Sequence, residues 1–142
     1  MRALLDVNVL IALLDADHSL HRRATEWFVG HARLGWASCP ITENGCVRIM
    51  SHPGYPNPVA VRAVIERLRE AAAGTRHEFW PDDVSLLDRD IADHRRIHGP
   101  RQITDLYLLA LAVRHGGCFV TFDATVSRDA VTGAAERHLV AL

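Results

Sequence analysis

The chain has 142 residues, 49% of them hydrophobic and 23% charged, with a formal net charge of −1. That fits one folded domain with a sizeable core and excludes a disordered chain or a protein basic over its whole surface. All sixteen basic residues are arginine. The lack of lysine excludes Schiff-base chemistry, a P-loop lysine and the lysine of phosphoaspartyl signalling domains, while phosphate binding stays open to the arginine fork. Any contact with nucleic acid must then be a local patch.

Residues 1–142 are read as a single domain. Met1-Arg2 leads straight into a strand, without a charged leader and cleavage site. The apolar runs are too short to span a bilayer, so the expected setting is cytoplasmic, with no membrane partner. Along the chain, "ALL" (3–5) is predicted as a buried strand ending at Asp6, followed by a short helix in "VLIALLDA". Asp17 or Ser19 is placed to cap a helix with Leu20, Ala24, Trp27 and Phe28 on one face. "LGWASC" (34–39) reads as a strand, and Pro40 suits the first turn of a helix carrying Ile41, Glu43, Cys46, Val47 and Met50. "SHPGYPNP" is a loop. Asn57-Pro58 is expected to cap and begin the next helix, with Val61, Val64, Ile65 and Leu68 inward and its end near Gly74.

"HEFW" (77–80) reads as a strand, and Asp82 or Asp83 as the cap of a helix bearing Val84, Leu87 and Ile91. "HGPRQ" (98–102) is a loop. Thr104 is expected to cap "DLYLLALAVRHGG", which ends in a glycine pair. "CFVTF" (118–122) is a strand ending at Asp123, and "RHLVAL" a last strand. Short strands alternating with helices predict an α/β fold: a central, mainly parallel sheet of about five strands, Rossmann-like, with helices on both faces in three layers. Such sheets bind ligands at the carboxyl ends of their strands.

Cys39, Cys46 and Cys118 are odd in number and form no CxxC pair. Cys39 and Cys46 on one helix would be roughly 10 Å apart, too far for a disulfide. All three are expected as buried thiols. His94 and His98, four apart, and His18 and His21, three apart, have no third ligand nearby and read as solvated helix positions. Tyr55 and Trp36 offer rings for stacking on bases, but aromatics beside a loop and a strand fit packing better.

The acids carry more. Asp6 ends the first strand, Glu43 lies one turn into the helix after the second, Asp105 is in the first turn of the helix after Thr104, and Asp123 ends the strand "FVTF". Singly, Asp105 reads as helix-terminus electrostatics, Asp123 as a turn residue and Glu43 as a solvated position. Together they fall on one edge of the predicted sheet beside apolar sequence, where unpaired charge is costly. Carboxylates gathered there raise one another's pKa, and a hard divalent cation with oxygen ligands, Mg²⁺ or Mn²⁺, relieves the conflict.

"LLDVNVLIALL", Glu43 and "ITDLYLLALAVRHGGCFVTFD" together resemble the PIN-domain ribonucleases, above all the VapC toxins of type II toxin–antitoxin pairs. The resemblance runs over nearly the whole chain. It implies a PIN-like fold and an endoribonuclease that hydrolyses RNA phosphodiesters with metal-activated water, transfer or ribosomal RNA being the expected substrate. It maps the family's acids onto Asp6, Glu43, Asp105 and Asp123, as catalytic residues and metal ligands. The small polar residue two places after the first acid is Asn8, and Thr121 stands before the "FD" step; with Thr104 these are expected to hydrogen-bond the ligating acids. Arg48 and Arg101 are the expected phosphate contacts, ahead of Arg95 and Arg96. Where many relatives carry a further acid or Asn, this chain has Ala124 and Val126, with Asp129 farther on. The resemblance also implies a VapB-like antitoxin as partner and a homodimer. The alternative is a PIN-like module that binds RNA or a partner without cutting.

Overall fold

A computed structural model describes the whole chain, Met1–Leu142. The apolar triplet before Asp6 forms β1 (Ala3–Leu5), every residue buried. Asp6 accepts the Val7 N–H at its own side chain and so caps α1 (Val7–Leu14), which starts at once with no intervening loop. α2 (His21–His31) follows, capped by Leu20 rather than by Asp17 or Ser19, whose side chains make no cap bond. The His18 ring accepts the Leu20 N–H instead.

β2 (Trp36–Ser38) leads into α3 (Pro40–Met50), with Pro40 in the first turn as expected. Thr42 secures the start of α3, accepting the Cys39 N–H at 3.0 Å. α4 (Val61–Ala72) begins later than Asn57-Pro58 predicts, because the chain there stays extended and the Val59 N–H bonds the Met50 carbonyl. β3 (His77–Phe79), α5 (Ile103–Arg114), β4 (Cys118–Thr121) and β5 (Leu139–Ala141) complete the regular elements. α5 is entered from a 3₁₀ turn at Pro100–Gln102, and the Gln102 side chain accepts the His98 and Gly99 N–H groups. Thr104 is therefore inside the first turn and is not the cap.

The predicted helix over Val84, Leu87 and Ile91 does not form. Ser85 accepts the Leu87 N–H and Asp88 accepts the Asp90 N–H at their side chains, which diverts the donors a helix would need. Successive turns, Asp88 N–H to the Ser85 carbonyl and Ile91 N–H to the Asp88 carbonyl, instead place Val84, Leu86 and Ile91 on the core and leave Leu87 88% exposed. Ala92 pairs with Val131 in an isolated bridge that ties this segment to the one after β4.

All five strands are parallel, in the order β3-β2-β1-β4-β5. The first three strands step outward from β1 in one direction; the last two lie on its other side. The order thus reverses between β1 and β4, where an open α/β sheet has its crevice. Neighbouring residues divide between the faces. Ala3, Leu5, Cys118 and Val120 join a core with α1, α3 and α4. Leu4 and Phe119 join another with α5, Trp80 and Val131. The architecture is the α/β, PIN-like one expected, with four helices on one face and one on the other. All three cysteines are buried and unpaired.

Candidate active site

The crevice between β1 and β4 gathers three of the four predicted acids. Asp6 follows β1 directly and is only 8% exposed. One oxygen, Oδ1, accepts the Val7 N–H at 2.7 Å. The other, Oδ2, accepts the Thr121 hydroxyl at 2.7 Å from the end of β4. The same Thr121 oxygen accepts the Asp123 N–H at 3.1 Å, so one hydroxyl links both strand-end aspartates. Asp105 enters from the first turn of α5.

Their protonation is graded by surroundings. Thr125 donates its hydroxyl and its N–H to Oδ1 of Asp123 and holds that carboxyl below the usual range. Burial pushes Asp6 up, against the bonds from Thr121 and Val7, and the charge of Asp123 adds to the rise. Asp105 is pushed up to about 6 by burial, then by the charges of Asp6 and Asp123. Asp123 is thus the settled anion, and Asp105 holds a proton most strongly. As they stand, no three His, Cys, Asp or Glu side chains are grouped closely enough to ligate one ion. The donor set itself has the chemistry of a hard-cation site: oxygen only, anionic, and self-repelling with one member already driven toward neutrality.

Glu43 belongs to the same edge but not to that trio. It sits in the first turn of α3, beyond β2, and accepts the Ser38 hydroxyl at 2.6 Å. It lines a cavity of about 410 Å³ between α3 and α4 with Ser38, Asn44, Arg48 and Ile65. The charges acting on Asp105 are Asp6 and Asp123, not Glu43. A smaller pocket of about 240 Å³ lies on the other side, lined by Arg101, Asp105, Asp123, Thr125 and Ser127. Arg48 and Arg101 therefore stand in separate pockets flanking the crevice, both exposed and in no ion pair.

Asn8 and Thr104 are exposed on the first turns of α1 and α5, and neither side chain bonds an acid. Of the three predicted supporting residues, Thr121 alone bonds an acid. Arg95 and Arg96 both pair with Asp93 and are committed locally. Trp36 is buried, edge-on to Phe28 and 4.4 Å from the His77 ring. Tyr55 donates its hydroxyl to Asp15 and ties its loop to the end of α1. His21 and His94 bond the carbonyls of Ala12 and Leu86. Sequence reasoning missed Ser38, Thr125 and His77. Ser38 carried a signal: like Asp6, it is a polar residue ending a strand that is otherwise dry.

The comparisons with known proteins agree with this geometry. The model of the PIN domain matches residues 3–130. Ribonuclease VapC44 of Mycobacterium tuberculosis is 54% identical over 142 residues, which is the full length of both chains. Ribonuclease VapC39 of the same organism is 43% identical over 137 residues, 96% of this chain and 99% of that one. Among solved structures, the crystal structure of VapBC2 from Rickettsia felis bound to a DNA fragment from their promoter has the same fold, with a TM-score of 0.61 at 13% identity over 100% of this chain and 98% of that one. The similarity extends from β1 past the end of β4 and takes in the whole acidic crevice: the chain belongs to the PIN-domain family, among its VapC members.

Proposed function

We propose that the chain is a Mg²⁺- or Mn²⁺-dependent endoribonuclease, the toxin of a type II toxin–antitoxin pair. The observation that carries this reading is the meeting of Asp6, Asp105 and Asp123 at the strand-order reversal, with Asp105 pushed up to about 6 by burial and then by the charges of the other two. Relatives that bear the name ribonuclease over the full length of the chain support it.

Asp6, Asp105 and Asp123 would hold the cation, with Glu43 joining directly or through water. When bound, the ion supplies positive charge against the charge that builds on the phosphate oxygens in hydrolysis. The chain's own residues do the rest. Thr121 and the Val7 N–H hold both oxygens of Asp6, so this carboxylate needs little reordering. Asp105, pushed up to about 6 without the ion, would give up its proton on taking up the cation. Glu43 has one oxygen engaged by Ser38 and the other available to orient water. Arg48 and Arg101 grip substrate phosphates on either side of the crevice, and Asn8 and Thr104 extend its polar rim. RNA would be selected by shape and by unpaired bases, as in loops of transfer or ribosomal RNA. A VapB-like antitoxin and a second copy of the chain are the expected partners.

The test is direct. Structured RNA incubated with the protein and Mg²⁺ should be cut internally, and EDTA, Asp6→Asn or Asp105→Asn should each abolish cutting. Cleavage that survives EDTA or both substitutions would end the proposal.

A further inference from the structure

The geometry points to Ser38 and His77 as positioning residues that hold the Glu43 carboxylate in its working orientation; this rests on the nuclease reading above. Ser38 ends β2 and is 1% exposed, so its hydroxyl must find partners inside the protein. Both partners are side chains. Ser38 Oγ donates to Glu43 Oε1 at 2.6 Å and lies 2.8 Å from His77 Nε2. A hydroxyl has one proton to give. With that proton on the Glu43 side, Ser38 holds the second contact by accepting, which calls for the tautomer of His77 with its proton on Nε2. The line therefore has a direction, imidazole to hydroxyl to carboxylate, and each bond polarises the next.

Three separate elements build this line. Trp36 pairs with His77 and Ser38 with Phe79 in the register of β2 and β3, so His77 and Ser38 share the face covered by α3 and α4. The His77 ring is steadied against Trp36, with centroids 4.4 Å apart. Glu43 reaches the line from the first turn of α3. The Ser38 bond is the one side-chain hydrogen bond Glu43 makes, so it fixes which way the carboxylate faces in the cavity shared with Arg48. The fold uses the same device again two strands away, where the Thr121 hydroxyl at the end of β4 holds Asp6. His77 differs from a catalytic residue in touching Ser38 rather than any group of the crevice.

The experiment compares the wild-type chain with Ser38→Ala, His77→Phe, His77→Gln, Glu43→Gln and the Ser38→Ala/Glu43→Gln double variant. Melting temperatures confirm folding, and RNA cleavage at saturating Mg²⁺ gives kcat and KM. Ser38→Ala should lower kcat by about 10- to 100-fold, the range for loss of a group that orients a ligand, with KM for RNA little changed. In the Glu43→Gln background the same change should have no further effect. His77→Gln, which keeps an N–H donor, should retain more activity than His77→Phe. Multiplicative losses in the double variant, or wild-type kcat in Ser38→Ala, would overturn the assignment. A readout independent of cleavage is the ¹⁵N spectrum of the His77 ring. It should show a protonated Nε2 whose resonance moves in Glu43→Gln, although Glu43 does not touch the ring. An unprotonated Nε2, or a resonance blind to Glu43→Gln, would overturn it equally. Failure of the wild-type chain to cut RNA would instead sink the nuclease reading, and the ring spectrum would still decide whether Ser38 links His77 to Glu43.

Discussion

Thr121 and Asp6 lie 115 positions apart in sequence, yet the threonine hydroxyl donates to the aspartate Oδ2 at 2.7 Å with both residues buried. The bond spans the two strands where the sheet order reverses, and the same oxygen accepts the Asp123 N–H. Thr121→Val keeps the shape and removes both functions. It should lower stability in EDTA by about 1–3 kcal/mol, the range for hydrogen bonds to a charged or desolvated group, and weaken Mn²⁺ binding about 10- to 100-fold. Urea unfolding and calorimetry measure the two. A variant equal to wild type in both would show that the bond does not position Asp6.

Asp105 makes the apo protein pH-sensitive. Its pKa is about 6 when folded, against 3.8 in the absence of the fold. Between those values the folded chain binds more protons than the unfolded one, so stability falls as pH rises through the window and levels off above it. Relative to Asp105→Asn, wild type in EDTA should lose melting temperature from about pH 4 to about pH 6, by the linkage relation. A constant difference between the two proteins across that range would contradict the account. The proton also competes with the cation, so Mn²⁺ affinity should weaken below about pH 6.

Filling the crevice should reverse the repulsion. At 100 times its Kd, Mn²⁺ stabilises a one-site protein by about 2.7 kcal/mol. The melting temperature of wild type should rise accordingly, and that of the Asp6→Asn/Asp105→Asn double variant should not. A wild-type melt unchanged by millimolar Mn²⁺ would remove the cation from the site.

Gly45 places α3 against α1 beside the crevice. A Cβ there would meet Val7 Cγ2 at 2.7 Å, and valine in a helix has little rotamer freedom to yield. Overpacking costs about 1–3 kcal/mol, against about 1 kcal/mol that alanine gains over glycine in a helix interior. Gly45→Ala should therefore lower stability by about 1 kcal/mol net and shift Val7, next to Asp6. A more stable Gly45→Ala protein would show that the helices separate freely.

Arg48 and Arg101 predict a salt signature. Each phosphate contact on single-stranded nucleic acid contributes about 0.7 to the slope of log affinity against log salt. Arg48→Ala and Arg101→Ala should each weaken RNA binding by the Asp6→Asn protein and flatten that slope by about this amount. An unchanged slope would assign the arginine to solvent.

The strands were legible as short apolar runs and Asp6 as a carboxylate placed against one, while Asp105 and Asp123 stood out only by falling on the same predicted edge. Asp6 is the clearest case. The fourth acid was harder. Glu43 has the right offset after a strand, but its distance from the trio depends on strand order, which periodicity does not carry. His77 was invisible for the same reason, since only the register of β2 against β3 brings it to Ser38. The segment at 82–91 failed differently. Val84, Leu87 and Ile91 have helical spacing, and nothing in that spacing reveals that Ser85 and Asp88 divert the backbone donors. Thr104 was displaced as a cap because Pro100 starts a 3₁₀ turn ahead of α5.

The first strand made is the middle strand of the finished sheet, and its neighbour β4 is encoded more than a hundred residues later. More than a hundred further residues must leave the ribosome after Asp6 before it can meet Thr121 and Asp123. Fragments that stop short of residue 118 leave β1 with one open edge and the aspartates unassembled. Chain order thus makes the acidic crevice a late product of folding, formed only when β4 docks beside β1.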